Sequence, residues 1–356
     1  MKKIGKSTYK TEKNPAISFF ASVVGEKEGQ GPLGELFDRV FMDMYAGETT
    51  WEKAESRLQK TVAQMVLNKS KKKSEEIDLI FAGDLLNQCT ASAFGMRDFE
   101  IPYLGQYGAC STMVQSIIGA VTAVESGGAS ACLCVTSSHF CSAERQYRYP
   151  LEYGGFRTPT AQWTVTGAGG CLIEPMASGA VIAHVVPGKI VDLGIKDSNN
   201  MGAAMAPAAA DTIGNFFRDT NTTPQDYDMI FTGDLGVVGS EILSELLRND
   251  DFEIEGKHKD CGAMIFDCHE QQVCAGGSGC GCCASVLCSY ILKSMEKGEL
   301  NNVLVTATGA LLSPTTSEQK QSIPGIAHLI NIKNKKEIFK LENSPCCAVH
   351  HEGFGL

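Results

Sequence analysis

Apolar positions fall into short and long runs along the chain, and both kinds of run recur in its second half. The short run at 77–82 precedes Gly83, Asp84 and Leu85, which predicts a buried strand followed by a loop. The long run at 113–124 ends at Gly127 and Gly128, which predicts a buried helix with a glycine stop. The pattern therefore favours an α/β protein whose longest apolar elements are helices.

The pattern occurs twice without a gap. Residues 74–85 match residues 224–235, and residues 108–138 match residues 279–309. Each half thus predicts strand, loop, buried helix, glycine stop and strand, in that order. Two such halves would bring the starts of their buried helices together, so one site is expected at the pseudo-twofold axis between them.

Composition narrows the class of protein. The 356 residues carry a formal net charge of −10, and no basic block is longer than residues 71–73, so nucleic acid is an unexpected partner. No apolar run reaches the ~18–20 residues that a membrane helix needs. The 15 cysteines are an odd number and no leader pattern precedes them, which predicts reduced thiols in the cytoplasm.

The chemistry of the axis depends on Cys110. It lies in a turn of small residues just before the first buried helix, where unpaired amides and the helix dipole are expected to lower the thiol pKa. A thiolate there would be a nucleophile. The other interpretation, a small buried apolar residue, fits most free cysteines, and this stretch alone leaves both open.

Further candidates follow the predicted strands. Loops at the carboxyl ends of strands form the sites of open α/β sheets, which selects Asp84 and Asn87 after one strand and Ser138 and His139 after another. His139 is also compatible with a structural role. Arg148 lies further along the segment that follows the same strand, and a surface ion pair is the alternative to ligand binding for this residue.

The second buried helix opens on a run of glycines and cysteines that includes Gly277, Cys280, Cys282 and Cys283. Three close cysteines suggest a metal, but their spacing is not that of paired C-x-x-C modules. We therefore predict no metal here. Gly277 and Cys282 are interpreted as small residues that leave room for a ligand at the axis.

Motifs over nearly the whole chain resemble those of the thiolase superfamily and, within it, the stage V sporulation protein AD family. They lie at 28–34, 81–88, 107–112, 136–139, 163–169, 201–211, 276–280 and 307–314. The resemblance implies a thiolase-like five-layered αβαβα fold, usually as a homodimer. It implies one half at 1–187, a second at 188–333, and a tail at 334–356 outside the fold.

The same resemblance implies a function other than condensation. The sporulation family implies a cytoplasmic protein, peripheral to the inner spore membrane, that works with other SpoVA proteins and binds dipicolinic acid during its uptake into the developing spore. Where a thiolase-type site has a histidine and a second base, this chain has Cys282 and Thr308. Cys110 would then be a vestigial nucleophile that helps His139 and Arg148 to bind the ligand. No cofactor is implied. The alternative is an acyltransferase or thioesterase that uses Cys110 as acyl acceptor.

Overall fold

The structure is a computed structural model that describes residues 1–147, 157–175 and 179–334. Its strands carry the numbers used below. They are β1 Lys2–Ile4, β2 Thr8–Lys10, β3 Pro15–Gly25, β4 Arg39–Phe41, β5 Leu79–Gly83, β6 Tyr103–Gln106, β7 Cys132–Ser138, β8 Trp163–Thr164, β9 Gly167–Pro175, β10 Ala180–Val186, β11 Met229–Thr232, β12 His258–Asp260, β13 Gly277–Ser278, β14 Asn302–Ala310 and β15 Gly325–Asn334.

The α-helices alternate with these strands along much of the chain. They are α1 Glu26–Gly29, α2 Trp51–Ser70, α3 Thr90–Met96, α4 Thr112–Ser126, α5 Phe140–Tyr147, α6 Met201–Thr220, α7 Gly236–Asn249, α8 Cys261–Ile265, α9 Cys280–Val286, α10 Leu292–Lys297 and α11 Pro314–Glu318. A π-helical turn, Leu287–Ile291, joins α9 to α10.

The duplication seen in the sequence is also present in the sheet topology. In the first half the strand order is β3-β9-β7-β5-β6, and in the second half it is β10-β15-β14-β11-β12. In both halves the three strands furthest from the junction are parallel, and the remaining two neighbouring pairs are antiparallel. The two halves therefore share strand order and strand direction, as expected for a duplicated unit and not for two unrelated domains.

The two sheets meet where β10 pairs with β3, through Ala180 opposite Ile17 and Val181 opposite Ala16. Strand β10 lies before the boundary that the sequence suggested at 187/188. By topology it is the first strand of the second half, because it pairs along its length with β15. Asn334, at the predicted start of the tail, still belongs to β15 and donates its backbone amide to Asn301. The rest of the tail lies outside the described residues.

Two central helices lie between the sheets and contact each other. Helix α4 packs against β7 of the first sheet and β14 of the second, and α9 packs against α4, β7 and β9. All residues of α9 are buried, and a helix enclosed on every side must be apolar or small-residued all round. Helix α4 ends at Gly127, whose φ of 80° supplies the left-handed cap.

The outer faces of the sheets are covered by other helices. Helix α2 packs on β3, β7 and β9, whereas α6 packs on β14 and β15. Layers of helix, sheet, helix, sheet and helix result, which is the predicted five-layered α/β fold. Within residues 1–147, 157–175 and 179–334, every helix is too short or too polar to cross a bilayer.

Helix α2 buries an apolar stripe, but it also carries polar residues into the core. Thr50 caps its first turn by accepting the Lys53 amide. Alongside the apolar stripe, Glu55 and Gln59 are completely buried. Buried polar groups require partners, and the partners of these two lie at the carboxyl ends of β5 and β7.

Candidate functional site

A cavity of about 60 Å³ adjoins the pseudo-twofold axis at Cys110. In the described part of the chain, its wall combines apolar side chains with hydroxyl groups and the carboxylate of Glu144. The lining residues are Leu85, Ala109, Cys110, Ala143, Glu144, Tyr147, Thr164, Ser198, Met201, Ser278, Ala310 and Leu312. Both halves of the chain contribute, as the repeat predicted for a site at the axis.

Cys110 reaches this cavity from a strained turn. A 3-10 turn, Ala109–Ser111, precedes α4, and Ala109 adopts a φ of 51° that is uncommon for a residue with a Cβ. The thiol is buried and lies 3.9 Å from the Ser278 hydroxyl. The cysteine therefore stands one turn ahead of the regular helix, turned toward the second half.

Asp234 organises the polar groups around the thiol. Its carboxylate accepts hydrogen bonds from the Ser278 hydroxyl at 3.1 Å, the Gly279 amide at 3.0 Å and the Thr308 hydroxyl at 2.7 Å. Its backbone carbonyl accepts from the Gln162 side chain at 2.6 Å. Burial nevertheless raises the pKa of Asp234, and the hydrogen bonds oppose this. One carboxylate thus ties β11, β13 and β14 together beside Cys110.

The sequence analysis did not select Asp234 as a site residue, although a signal was available. Asp234 is the repeat partner of Asp84, which was selected. Both aspartates follow a glycine at the end of a matching strand, β5 or β11. The residue in the second half that corresponds to candidate Asp84 in the repeat is Asp234, and this correspondence predicts a carboxylate facing Cys110.

The thiol pKa is shifted opposite to the expected direction. Burial raises the pKa of Cys110 well above its usual value, and the adjacent Asp234 carboxylate adds to the rise. The expectation of a thiolate at a helix start is therefore wrong, because desolvation and a neighbouring negative charge outweigh the helix terminus. At neutral pH this group is a neutral thiol.

We expect Cys110 to alkylate slowly in the folded protein. With iodoacetamide at pH 8, Cys274 should react readily, because it is only partly buried, while Cys110 should react at least about tenfold more slowly than Cys274. Peptide mapping by mass spectrometry at timed intervals measures both rates. Labelling in urea, where burial is lost, is the control and should bring the two rates together. Preferential labelling of Cys110 in the native protein would contradict the assignment.

His139 does not take part in this cavity. Its Nε2 lies 2.8 Å from the Met44 carbonyl, and its Nδ1 accepts the Cys141 amide at 3.2 Å. Burial lowers the pKa of His139, and the neutral tautomer with hydrogen on Nε2 satisfies both contacts. The expected charged ligand donor is thus a neutral histidine that fixes the loop around Met44.

Asp84 and Ser138 are buried and already hydrogen-bonded elsewhere. Asp84 accepts from the Leu86 amide, the Ser92 amide and the Ser92 hydroxyl, and so holds the start of α3. The Ser138 hydroxyl donates to the Val165 carbonyl and accepts the Gly281 amide. Both residues shape the axis without lining the cavity.

Three more predicted ligand residues lie away from the cavity. Asn87 lines a separate surface pocket, and its backbone amide donates to the Gln146 side-chain oxygen at 3.1 Å. Gly277 pairs with Trp163 in a short two-stranded sheet. The Cys282 thiol points to the Gly233 carbonyl at 3.5 Å. Arg148 lies outside the described residues.

The cysteines at the start of α9 point in different directions. Cys280 donates to the Ser137 carbonyl at 2.9 Å, whereas Cys282 faces Gly233. In the described part of the chain, no three histidine, cysteine or acidic side chains are arranged to hold a metal ion.

A second buried acid lies behind the axis in the first half. Glu55 accepts from the hydroxyls of Ser137 and Ser142 at 2.9 and 2.8 Å. Gln59 joins Ser137 to Ser92, the partner of Asp84. Burial raises the pKa of Glu55 to about 8, and the charge of Asp84 adds to the rise. The apolar stripe of α2 hid this network from the sequence analysis.

At the opening of the cavity, Tyr147 and Tyr107 join their hydroxyls at 3.1 Å, and Tyr147 donates to the Leu85 carbonyl. Tyr107 is half exposed. Among the described lining residues there is no histidine, lysine or arginine. The arrangement supplies hydroxyl groups and an aromatic edge for a ligand. The acidic neighbour of the thiol is the Asp234 carboxylate, which raises the thiol pKa.

Comparison with known families identifies the group of proteins that this chain resembles. A model of the family described as stage V sporulation protein AD matches residues 5–333. Stage V sporulation protein AD of Bacillus subtilis (strain 168) is 46% identical over 328 residues, which cover 92% of this chain and 97% of that protein. The predicted family resemblance is confirmed.

Solved structures support the fold alone. The 3-oxoacyl-(acyl carrier protein) synthase III of Pseudomonas aeruginosa is 11% identical with a TM-score of 0.56, covering 90% of this chain and 98% of that one. A cysteine-to-serine variant of Xanthomonas campestris OleA, solved with lauric acid and lauroyl-CoA, is 12% identical with a TM-score of 0.55 and covers 90% and 99%. The thiolase-like fold is therefore confirmed.

Proposed function

Since the chain belongs to the stage V sporulation protein AD family, we propose that it binds dipicolinic acid in the cavity at Cys110 and assists its uptake into the developing spore. The observation that carries this proposal is the setting of the thiol. Cys110 keeps the position of a nucleophile at the axis, yet its closest polar partners are Ser278 and the carboxylate of Asp234. Such a cavity favours binding over acyl transfer.

The lining groups suit a planar aromatic acid. The hydroxyls of Thr164, Ser278 and Tyr147 donate to Glu144, Asp234 and the Leu85 carbonyl in the empty cavity, and each would have to turn from that acceptor to donate to a ligand carboxylate. Leu312 and Met201 supply apolar surface for a ring. The volume of about 60 Å³ is small for such a ligand. A bound ring would therefore extend toward the opening beside Tyr147, which is partly exposed.

Calorimetric titration with dipicolinate tests the proposal. Saturable binding is expected, and Cys110→Leu, which fills the cavity, should weaken it at least about tenfold, equivalent to ~1.4 kcal/mol. Lys73→Ala, far from the cavity on an exposed turn, is the matched control and should bind as the parent does. Thermal unfolding of each variant separates lost binding from lost folding. A folded Cys110→Leu protein with unchanged affinity would place the ligand elsewhere.

The acyltransferase alternative makes a different prediction for the same residue. It requires a Cys110 thioester after incubation with acetyl-CoA, whereas a buried thiol whose pKa is raised should form none. Intact-mass analysis distinguishes the two. A thioester that disappears in Cys110→Ser would favour the enzyme over the binding protein.

We also propose that the protein forms a homodimer through the outer edge of the first sheet. Strand β6 ends that sheet, and an unpaired edge is a template for a second copy. Beside it, Leu104, Tyr107 and Phe94 are 47%, 50% and 56% exposed. Sedimentation should show a dimer that Leu104→Lys converts to a monomer, whereas Val237→Lys, at another exposed apolar position, leaves it intact. A dimer unaffected by Leu104→Lys would place the interface elsewhere.

Family membership further supports the proposal that the protein works at the inner spore membrane with other SpoVA proteins. Fractionation of sporulating cells would test this. Recovery of the protein in the membrane fraction only when the other SpoVA proteins are present is the expected result, and its absence from that fraction would contradict the proposal.

A further inference from the structure

Among the described lining residues, one side chain is charged, and it is ion-paired with an arginine. Glu144 lines the cavity, and its side chain is only 4% exposed. Its Oε2 lies 3.1 Å from Nη2 of Arg157, and its Oε1 accepts from the Thr164 hydroxyl at 2.9 Å. The guanidinium is thus one contact away from the space where a ligand would lie.

Arg157 is held in place by more than this ion pair. Its guanidinium lies 4.8 Å from the ring centre of Trp163 and 5.3 Å from that of Phe140. The two rings stack on each other with centres 4.0 Å apart. Its Nη1 also donates to the Gln162 carbonyl at 2.8 Å. These contacts do not involve Glu144, so the cation would keep its position if Glu144 moved away.

A dicarboxylate in this cavity faces an electrostatic conflict. An anion beside the buried carboxylate of Glu144 is repelled, and at short range in a low dielectric this costs much more than in water. The guanidinium of Arg157 is already paired with that same carboxylate. A planar guanidinium, however, matches a carboxylate group better than any other side chain.

We propose that Arg157 binds one carboxylate of the ligand and that the ligand takes this cation from Glu144. The inference rests on the proposed function, since it concerns the same cavity. In this exchange the ligand carboxylate replaces Glu144 as the partner of Arg157, while Glu144 keeps its hydrogen bond from Thr164. Glu144 thereby keeps Arg157 paired when the cavity is empty. It also makes binding selective for ligands whose carboxylate binds Arg157 more tightly than the Glu144 carboxylate does.

Two substitutions with opposite expected effects test the exchange. Glu144→Gln removes the competing charge and should tighten dipicolinate binding about tenfold, whereas Arg157→Gln should weaken it at least about tenfold. In the double variant the gain in affinity from Glu144→Gln should be lost, because the guanidinium that the substitution makes available to the ligand is absent. Glu245→Gln, which breaks an exposed pair with Arg248, is the matched control and should change nothing.

The ligand series gives an independent measurement. The uncharged diamide of dipicolinic acid should gain nothing from Glu144→Gln, because it carries no carboxylate to take Arg157, and an equal gain for the diamide and dipicolinate would overturn the exchange. Tighter binding cannot arise from damage to the fold, so the Glu144→Gln result is interpretable without a correction for stability. Weaker binding in Glu144→Gln with normal binding in the parent would overturn the exchange while leaving the proposed function standing. Absence of binding in the parent protein would overturn both.

Discussion

Asp234→Leu is expected to lower the free energy of unfolding by roughly 3 kcal/mol or more. The substitution leaves the Ser278 hydroxyl, the Gly279 amide and the Thr308 hydroxyl buried without their acceptor. Each unsatisfied buried donor costs ~1–3 kcal/mol. The three donors lie on β13, at the start of α9 and on β14. Loss of their common acceptor would therefore destabilise the part of the second half that faces Cys110.

Urea unfolding followed by circular dichroism measures this loss. Asp98→Leu is the control, because Asp98 is half exposed and its ion pair with Lys60 lies at the surface, where such pairs contribute little. The isosteric Asp234→Asn should fall between the two and should also speed alkylation of Cys110 by removing a nearby negative charge. Equal stability of the Asp234→Leu and Asp98→Leu proteins would show that Asp234 does not hold the site together.

The architecture could be predicted from the sequence because it depends on periodic, repeated signals. The apolar run at 113–124 lies within helix α4, the repeat at 279–309 includes α9 and α10, and the Gly127 stop is a left-handed cap. A duplicated pattern constrains topology strongly, since two halves with equal element order form equal sheets. Strand β10 was assigned to the first half because the sequence alone does not reveal its partner β15.

The site was predicted less well because it depends on where side chains point. His139 was correctly located just past the end of β7, yet its ring faces the Met44 carbonyl from a distant loop. The sequence gives no signal for that contact. The prediction of a lowered pKa for Cys110 was wrong for a related reason. The turn that carries Cys110 was visible in the sequence, but the carboxylate of Asp234 was not recognised as a neighbour of the thiol.

The residues that line the cavity come from many separate segments. Glu144 and Tyr147 lie on α5, whereas Thr164 is on β8 and Leu312 follows β14. Thr164 and Leu312 lie within the motifs at 163–169 and 307–314, but no pattern in the sequence marks any of the four as a site residue. Only their common position around Cys110 gives them a role, and that position requires the fold.

The repeat also explains why the second half has no counterpart of Cys110. The gap-free match of 108–138 with 279–309 places Gly281 opposite Cys110. A Cβ at Gly281 would lie 2.6 Å from both the amide nitrogen and the hydroxyl of Ser138, and it would overlap the Gly167 carbonyl. These neighbours are mostly backbone, which cannot move aside. The second half therefore has no space for the side chain that the first half carries.

Gly281→Cys, which restores the symmetry, is accordingly expected to destabilise the protein severely. Overpacking a core costs typically ~1–3 kcal/mol, and contact with two backbone segments should bring the loss to about 3 kcal/mol or more, with additional loss of the hydrogen bond from the Gly281 amide to Ser138. Gly128→Ala, at an exposed turn with room for a methyl group, is the control and should unfold as the parent does. Thermal unfolding measures both. A stable Gly281→Cys protein would mean that β7 and β9 can separate from α9, and the asymmetry of the axis would then need a cause other than packing.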